Sequence, residues 1–188
     1  MAFKEQVQSL IGRELAGVRY FEVAYLNDDG SVPGPFWCES PDFDSLDFGL
    51  ELITADGDRF WIGWGDQFYT YALDVELNAN RDRSRMREID VSCGSRWEPL
   101  LGGTIAQAQV FWDWQAIGDA PPVWGPQDLA ITFASGDGVY ISALEIRQGS
   151  APWGHMDNLT VFFGENVARL YPVGPYAPVV RTEPGDIQ

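Results

Sequence analysis

Cysteine, histidine and lysine are scarce in this sequence. Its 188 residues include two cysteines, Cys38 and Cys93, together with one histidine and one lysine. A single histidine excludes a metal site built from several imidazoles. Two cysteines are too few for a disulfide framework, and we expect both to be reduced, buried thiols in a cytoplasmic protein.

A secretory signal and long apolar runs are also missing. The first ten residues carry Lys4 and Glu5 among polar neighbours and contain no continuous apolar stretch. No apolar run elsewhere approaches the length that crosses a bilayer. We therefore expect a cytoplasmic protein without a membrane partner.

Positive charge is the third shortage. Aspartate and glutamate number 28 against 12 lysines and arginines, and the formal net charge is −16. Such a chain repels nucleic-acid phosphates and anionic membranes, and it attracts cations or basic proteins. The charge therefore argues against a nucleic-acid partner and favours a basic protein.

What the sequence does contain is an internal similarity. Residues 9–16 match residues 99–106 at an offset of 90, with Leu, Gly and Ala recurring in place. Residues 50–62 match residues 129–141 at an offset of 79, and five of the thirteen positions are identical. Two matches in the same order predict a tandem duplication of one module.

The two offsets differ, and the difference locates an insertion. The first repeat has eleven more residues than the second between its matched segments, and they lie within residues 26–49. The second repeat makes the same crossing with residues 115–128. Because additions to a scaffold often carry function, this insertion is the first place to look for a site.

Alternating apolar residues separated by glycine-containing turns predict a mainly β fold, with α+β as the alternative. Each repeat is expected to open with a short helical turn and to continue into a strand and a hairpin. A further strand is predicted at residues 159–163, and residues 168–171 are expected to close the last one. Two half-apolar sheets would pack as a sandwich or close as a barrel.

The expected order along the chain has four parts. The first β-rich repeat covers residues 1–80, and an arginine-rich connector covers residues 81–90. The second repeat covers residues 91–171, and a proline-rich extended tail covers residues 172–188. The two repeats are expected to share one compact domain. We expect the connector arginines to lie over the acidic surface of the first repeat.

Acidic residues are concentrated in the first repeat. Between residues 20 and 76 there are thirteen acids and one base, Arg59. The insertion contains acids without any base, which predicts a docking surface for a basic protein; a solvated loop that only keeps the chain soluble is the alternative. The predicted partner-binding residues are Asp28, Asp29, Glu39, Asp42, Asp44 and Asp47.

A calcium site is a narrower interpretation of the same acids. Asp42, Asp44 and Asp47 lie close in sequence, and hard cations bind several oxygen ligands. Their spacing does not match the EF-hand loop. Neither a metal nor any other cofactor is therefore predicted.

Eight tryptophans support an alternative function. Trp112 and Trp114 share one face of a predicted strand, and most of the tryptophan rings are expected to fill the core. The second hypothesis is a small-molecule or carbohydrate-binding face at the junction of the two repeats. Its predicted residues are Trp112, Trp114, Trp153 and His155.

An enzyme would have to use His155. Cys38 and Asp157 are possible partners, but neither lies in a recognisable nucleophile motif. Local hydrogen bonding between His155 and Asp157 in a loop explains the histidine equally well. A hydrolase centred on His155 is the third hypothesis, and no catalytic residue is predicted.

The sequence thus favours a non-enzymatic binding protein with a basic protein as its partner. In charge and size the chain resembles small acidic bacterial inhibitors and immunity proteins, which neutralise basic toxins. That resemblance implies a similar mode of action. It extends to charge and size alone, and no residue receives a role from it.

Overall fold

A computed structural model describes residues 2–24, 26, 29–31, 38–65, 68, 71–115, 123–146, 153–154 and 158–178. The helical elements within these ranges are α1 (Phe3–Gln8), η1 (Glu98–Leu100), α2 (Glu165–Leu170) and η2 (Gly174–Tyr176), where η denotes a 3-10 helix. The strands are β1 (Leu15–Val23), β2 (Cys38–Glu39), β3 (Phe43–Leu46), β4 (Gly49–Thr54), β5 (Arg59–Trp64), β6 (Leu73–Leu77), β7 (Met86–Asp90), β8 (Ile105–Gln115), β9 (Val123–Phe133), β10 (Gly138–Ser142), β11 (Leu144–Glu145), β12 (Trp153–Gly154) and β13 (Leu159–Phe163).

The strands form two antiparallel sheets. The first sheet has the order β6-β5-β4-β1-β7, and the second has the order β2-β3-β13-β10-β9-β8. Strands β11 and β12 form a separate short pair. The prediction of a mainly β fold is confirmed, and neither sheet closes into a barrel within the described ranges.

Inward-facing side chains of both sheets form one hydrophobic core. Every second residue of a strand points to the same face, so the apolar alternation seen in the sequence supplies this core. Helices α1 and η1 add apolar side chains to it. Fully buried members from the first and second sheets include Val18, Leu52, Ile62, Leu129, Ile141 and Leu159.

The two matched segments that precede β1 and β8 meet at one corner of the molecule. The amide of Gly12 donates to the carbonyl of Ile105 at 2.8 Å, and the amide of Gly102 donates to the carbonyl of Leu15 at 2.7 Å. Both glycines have positive φ, 85° and 76°. The first half (residues 1–90) and the second half (residues 91–178) thus contact each other through equivalent bonds.

The β4–β5 and β9–β10 hairpins turn in the same way. The amide of Gly57 donates to the carbonyl of Thr54, and the amide of Gly136 donates to that of Phe133, each at 2.9 Å. The φ angles of the two glycines are 89° and 94°. A tight turn needs this left-handed backbone, which explains the glycine at both positions.

The described part of the acidic insertion does not form a separate loop. It forms β2 and β3, and β3 pairs with β13, with Phe43 opposite Phe162 and Leu46 opposite Leu159. Residues 38–46 of the first half are therefore the outer strands of the second sheet. The pairing of β3 with β13 joins the two halves through backbone hydrogen bonds.

The outer face of the first sheet is covered by the connector. Phe21 and Trp61 lie with their ring centroids 5.0 Å apart on this face. The guanidinium carbons of Arg81 and Arg83 lie 4.9 Å from the Trp61 ring and 4.8 Å from the Phe21 ring. Arg83 also forms an ion pair with buried Glu51. The expected position of the connector arginines is confirmed for these two.

The outer face of the second sheet is covered by α2 and η2. Tyr140 and Phe162 of the sheet pack with Val173 in a second, smaller apolar cluster. The amide of Gly174 donates to the carboxylate of buried Asp128 at 2.8 Å. The chain segment after β13 is thus fixed by apolar contacts and by one buried hydrogen bond.

Two expectations about the end of the chain were wrong. Residues 168–170 belong to α2, because Gly164 has a φ of 88° directly after β13 and turns the backbone out of the sheet. The part of the predicted tail from 172 to 178 contains η2 and packs on the sheet. Pro175 lies in the first turn of η2, where its fixed φ suits a helix.

The expectation of a buried thiol was wrong for Cys93. This residue lies in the turn between β7 and η1, and its side chain is exposed. The backbone of Cys38 lies in β2. No helix in the described part of the chain is long and apolar enough to cross a membrane.

Candidate functional site

The predicted partner-binding acids do not all face solvent. Asp29 is exposed, Asp42 and Asp47 are half-buried, and Asp44 is buried with 2% of its surface accessible. Asp28 and the side chain of Glu39 fall outside what the structure describes. Folding the insertion into β3 therefore removes Asp44 from any exposed acidic surface.

Asp44 belongs to a buried polar network between the two sheets. The hydroxyl of Tyr20 donates to Oδ2 of Asp44 at 2.7 Å, and Nε1 of Trp97 donates to the Tyr20 hydroxyl at 2.6 Å. Arg96 pairs with Oδ1 of Asp44 at 3.2 Å. Burial, with the nearby Asp44 carboxylate, raises the pKa of Tyr20 well above its ordinary value. The network therefore keeps a neutral tyrosine that donates to a carboxylate.

Asp42 and Asp47, which flank β3, also have internal neighbours. The hydroxyl of Tyr171 donates to Oδ2 of Asp42 at 3.1 Å. Asp47 lies beside Glu22, which is fully buried. Burial, followed by the negative charge of Asp47, raises the pKa of Glu22 to about 8. Glu22 is therefore mainly protonated at neutral pH, and the local negative charge is smaller than the formal count.

The acids of the insertion do not converge on a cation site. Asp42, Asp44 and Asp47 each have the separate neighbours just given. Within the described ranges, no three histidine, cysteine, aspartate or glutamate side chains lie close enough to hold a metal ion.

Trp112 of the proposed aromatic site is part of the core. Its ring centroid lies 6.1 Å from that of Phe3 and 5.1 Å from that of Phe68, both in edge-on contact. The ring is half-buried and packs against the main apolar cluster. Trp112 therefore has a structural role.

Trp114 is the exposed member of that proposed site, with 46% of its surface accessible. Its ring lies 5.1 Å from Trp124, which pairs with it across β8 and β9. The Trp153 side chain and His155 lie outside the described residues. The aromatic site as a whole, and the hydrolase centred on His155, therefore stay predictions.

A groove on the outer face of the second sheet was not predicted from the sequence. It has a volume of about 370 Å³. Its floor comes from β8, β9 and β10, and its walls come from the β9–β10 turn, the start of α2 and η2. The lining residues are Gln107, Gln109, Phe111, Ala130, Thr132, Gly136, Asp137, Gly138, Tyr140, Gly164, Glu165, Pro175 and Tyr176.

The lining of this groove is polar, and the described residues that form it include no lysine or arginine. The side chains of Gln107 and Gln109, which end in carboxamide groups, are exposed on β8. Glu165 pairs with Arg169 on the same helix. The carboxylate of Asp137 accepts a hydrogen bond from the Ser135 hydroxyl at 2.7 Å. Such a surface suits a ligand that carries positive charge and hydrogen-bond donors.

Asp137 differs from the hairpin acids of the first half in its surroundings. There, Arg13 forms ion pairs with Asp56 and Asp58. The residue that corresponds to Arg13 in the second half is Gly103. A Cβ at Gly103 would lie 2.9 Å from the carbonyl oxygen of Leu100, so no side chain fits there. The sequence already contained this signal, as an arginine aligned with a glycine.

The groove borders a free strand edge. In the part of the chain that the structure describes, β8 is the last strand of its sheet. The corresponding strand β1 is covered by β7, from Arg19 opposite Asp90 to Val23 opposite Met86. A strand edge presents unpaired N–H and C=O groups to another chain. The second half therefore has an uncovered edge at β8, within the described residues, where the corresponding strand β1 of the first half is covered by β7.

Comparison of the chain with protein-family models, with curated proteins and with solved structures finds no match. Function is therefore inferred from the geometry and charge of the molecule itself.

Proposed function

We propose that this chain is a non-enzymatic binding protein whose partner is a basic protein. The observation that carries the proposal is where its arginines lie. Seven of them form ion pairs with carboxylates of the chain itself: Arg13, Arg19, Arg59, Arg81, Arg83, Arg96 and Arg169. Because these seven guanidinium groups are paired with carboxylates of the chain, the excess of acids over bases, a net charge of −16, is available to attract a basic partner.

The contact area that we favour is the groove on the second sheet. It is concave, and Asp137 lies at its rim, where no described arginine pairs with it as Arg13 pairs with the hairpin acids of the first half. A lysine or arginine side chain of a partner would pair with this carboxylate. The side-chain carbonyl oxygens of Gln107 and Gln109 supply further hydrogen-bond acceptors at the floor of the groove.

The acidic insertion remains a second contact area for the same partner. Asp29 is its exposed described acid, and Asp42 is half-buried. The burial of Asp44 leaves it to the internal network. The insertion therefore offers fewer free carboxylates than its sequence indicated.

The tandem duplication is part of this proposal. The corner bonds of Gly12 and Gly102 and the turns at Gly57 and Gly136 correspond at the two offsets of the sequence matches. Their agreement supports descent from one module. On this view the features that differ between the halves are where a function has been added.

A direct test is binding of a labelled octapeptide that alternates lysine and valine, measured by fluorescence anisotropy. We expect binding in low salt and a dissociation constant at least about tenfold larger near physiological ionic strength, since screening weakens charge attraction. An octapeptide that alternates glutamate and valine should not bind. Equal binding of the two peptides, or affinity independent of salt, would contradict the proposal.

Matched neutral variants distinguish the two contact areas. Asp137→Asn should weaken binding of the lysine peptide about threefold or more if the groove is used. Glu98→Gln removes one exposed charge away from the groove and serves as the control. Asp29→Asn with Asp42→Asn tests the insertion. A loss confined to this last variant would transfer the proposed site to the insertion.

A further inference from the structure

We infer that the basic partner binds as an added β-strand along the free edge of β8, at residues 107–111, with its side chains beside the groove. This inference rests on the proposed function and adds a backbone geometry to it. Strand addition uses main-chain hydrogen bonds for affinity and alternate side chains for specificity.

The molecule contains its own precedent for this geometry. β1 and β8 correspond at the offset of 90, and β7 pairs with residues 19–23 of β1. These correspond to residues 109–113 of β8, which overlap the proposed stretch at residues 109–111. Helix α1 contacts β8, Trp97 at the start of η1 donates to Tyr20 of β1, and Leu10 and Leu100 are both core residues. By analogy with β7 beside β1, we expect a strand to fit beside β8.

The edge itself has the properties of a docking strand. β8 contains eleven residues and neither lysine nor proline, two residue types that commonly protect exposed edges. Its pairing with β9 is irregular between Ile105 and Gln107 and again between Phe111 and Trp112. The regular stretch between these irregularities is residues 107–111, which is as long as β7.

The groove indicates what the added strand carries. Gln107, Gln109 and Phe111 project from β8 on the groove side. Neighbouring strands lie about 4.8 Å apart, so every second side chain of an added strand would lie beside these three residues. Arg169 pairs with Glu165 and lies 4.2 Å from the Tyr176 ring centroid, which leaves Asp137 as the lining carboxylate with no described basic partner. Lysine or arginine is therefore the complementary residue. The partner segment is therefore extended, with basic residues at alternate positions.

The test compares the lysine–valine octapeptide with the same peptide methylated on the backbone nitrogens of its lysines. Both peptides carry the same charge, but the methylated peptide lacks backbone N–H donors along one strand edge. We expect the parent to bind at least about tenfold more tightly and to slow amide exchange at residues 107–111 of the full chain. Equal, salt-sensitive binding without such protection would overturn strand addition while leaving the proposed function intact. Absence of binding by either peptide would overturn both.

An edge variant provides a second readout. Gln109→Lys places a positive charge on β8 and should weaken the parent peptide about fivefold or more. Asn80→Lys makes the same charge change at an exposed position after β6 and is the matched control. Equal effects of the two variants would contradict binding at this edge.

Two other occupants of the edge give distinct results with the full chain alone. If amides 107–111 are already protected and lose protection when residues 179–188 are removed, the chain covers its own edge. If their protection grows with protein concentration, a second copy covers it. Either result overturns the inference, whereas rapid exchange that only the peptide slows supports it.

Discussion

The two outer faces of the molecule are closed by different means. On the first sheet, Arg81 and Arg83 lie over aromatic rings and pair with acids, and β7 covers the edge of β1. On the second sheet, α2 and η2 cover part of the face, and among the described residues a groove and the edge of β8 stay uncovered. The first face pairs Arg81 and Arg83 with its own acids. On the second face, Asp137 and the edge of β8 are available to another molecule.

The difference assigns separate tasks to corresponding positions. Phe21 and Phe111 correspond at the offset of 90, yet Phe21 lies under a guanidinium and Phe111 lies beside Gly174 at the end of the groove. Glu22 and Trp112 also correspond, and there the first half has a fully buried carboxyl where the second half has a half-buried indole. Stability and binding can therefore be tested by changing one half and using the other as its reference.

The largest expected effect is loss of a fully covered aromatic ring. Phe21→Ala should reduce the free energy of unfolding by about 3–5 kcal/mol, because it leaves a cavity beneath Arg83 and beside Trp61. Phe111→Ala should cost less, since water in the neighbouring groove can fill the space. Urea denaturation of both variants measures the difference. Equal losses would show that the second face is as tightly closed as the first.

A slightly smaller effect should follow from breaking the buried ion pair on the first face. Glu51 has 2% of its surface accessible, and Arg83→Met leaves it with only Arg59, 3.8 Å away. We expect a loss of about 3 kcal/mol in unfolding free energy. Adding Glu51→Gln to that variant should restore most of it. No recovery in the double variant would mean that Arg83 acts through the Phe21 ring alone.

Glu22, the buried carboxyl that corresponds to Trp112 of the second half, should make the free energy of unfolding depend on pH. The pKa of Glu22 is about 8 in the folded state against an ordinary value of 4.5. Between these pH values the folded chain keeps a proton that the unfolded chain has released. Stability therefore falls as pH rises through this window and is greatest below it.

Glu22→Gln should remove this dependence and raise stability at pH 7 by on the order of 2 kcal/mol. Thermal unfolding from pH 4 to pH 9 measures the slope, and Glu98→Gln is the exposed control. An unchanged slope in Glu22→Gln would assign the pH dependence to another group, such as Asp128, whose burial raises its pKa to about 6.

The smallest expected effect concerns the hairpin pair of the first half. The Arg13 and Asp56 side chains are 31% and 52% exposed, so Arg13→Gln should cost less than about 1 kcal/mol. The loss should vanish in high salt. At the same time Arg13→Gln frees the hairpin acids of the first half, so it should create weak binding of the lysine peptide there. Unchanged peptide binding would show that a free carboxylate without a groove is insufficient.

The sequence predicted those elements whose signals are local. The β9–β10 hairpin follows from alternating apolar residues around Gly136, and β13 was predicted with its observed bounds, residues 159–163. Each is stabilised by neighbours that the alternation or the turn already marks. The positive φ at Gly12 and Gly102 likewise has a local cause, because each short helical segment ends there before a strand.

The rest depends on contacts between distant residues. Residues 86–90, which form β7, were predicted to be part of the connector because an edge strand with one face in solvent has a mostly polar sequence. Those residues alone do not indicate that the strand pairs with β1. The groove requires β8, the turn at Gly136 and the segment at Pro175 to come together. Of the acids predicted to bind a partner, Asp44 is buried because β3 pairs with β13 of the second half.

The pairing of β3 with β13 also sets the order in which the protein can be completed. Ser45 and Asn158, 113 residues apart in sequence, are brought into contact there. During synthesis β3 is made long before its partner strand β13. Until β13 is made, the apolar side chains of β3 have no second sheet to pack in. Chains rich in such distant pairings fold slowly. We therefore expect the first half, made alone, to expose β3 and to aggregate, while closure of the second sheet limits the folding rate of the whole chain.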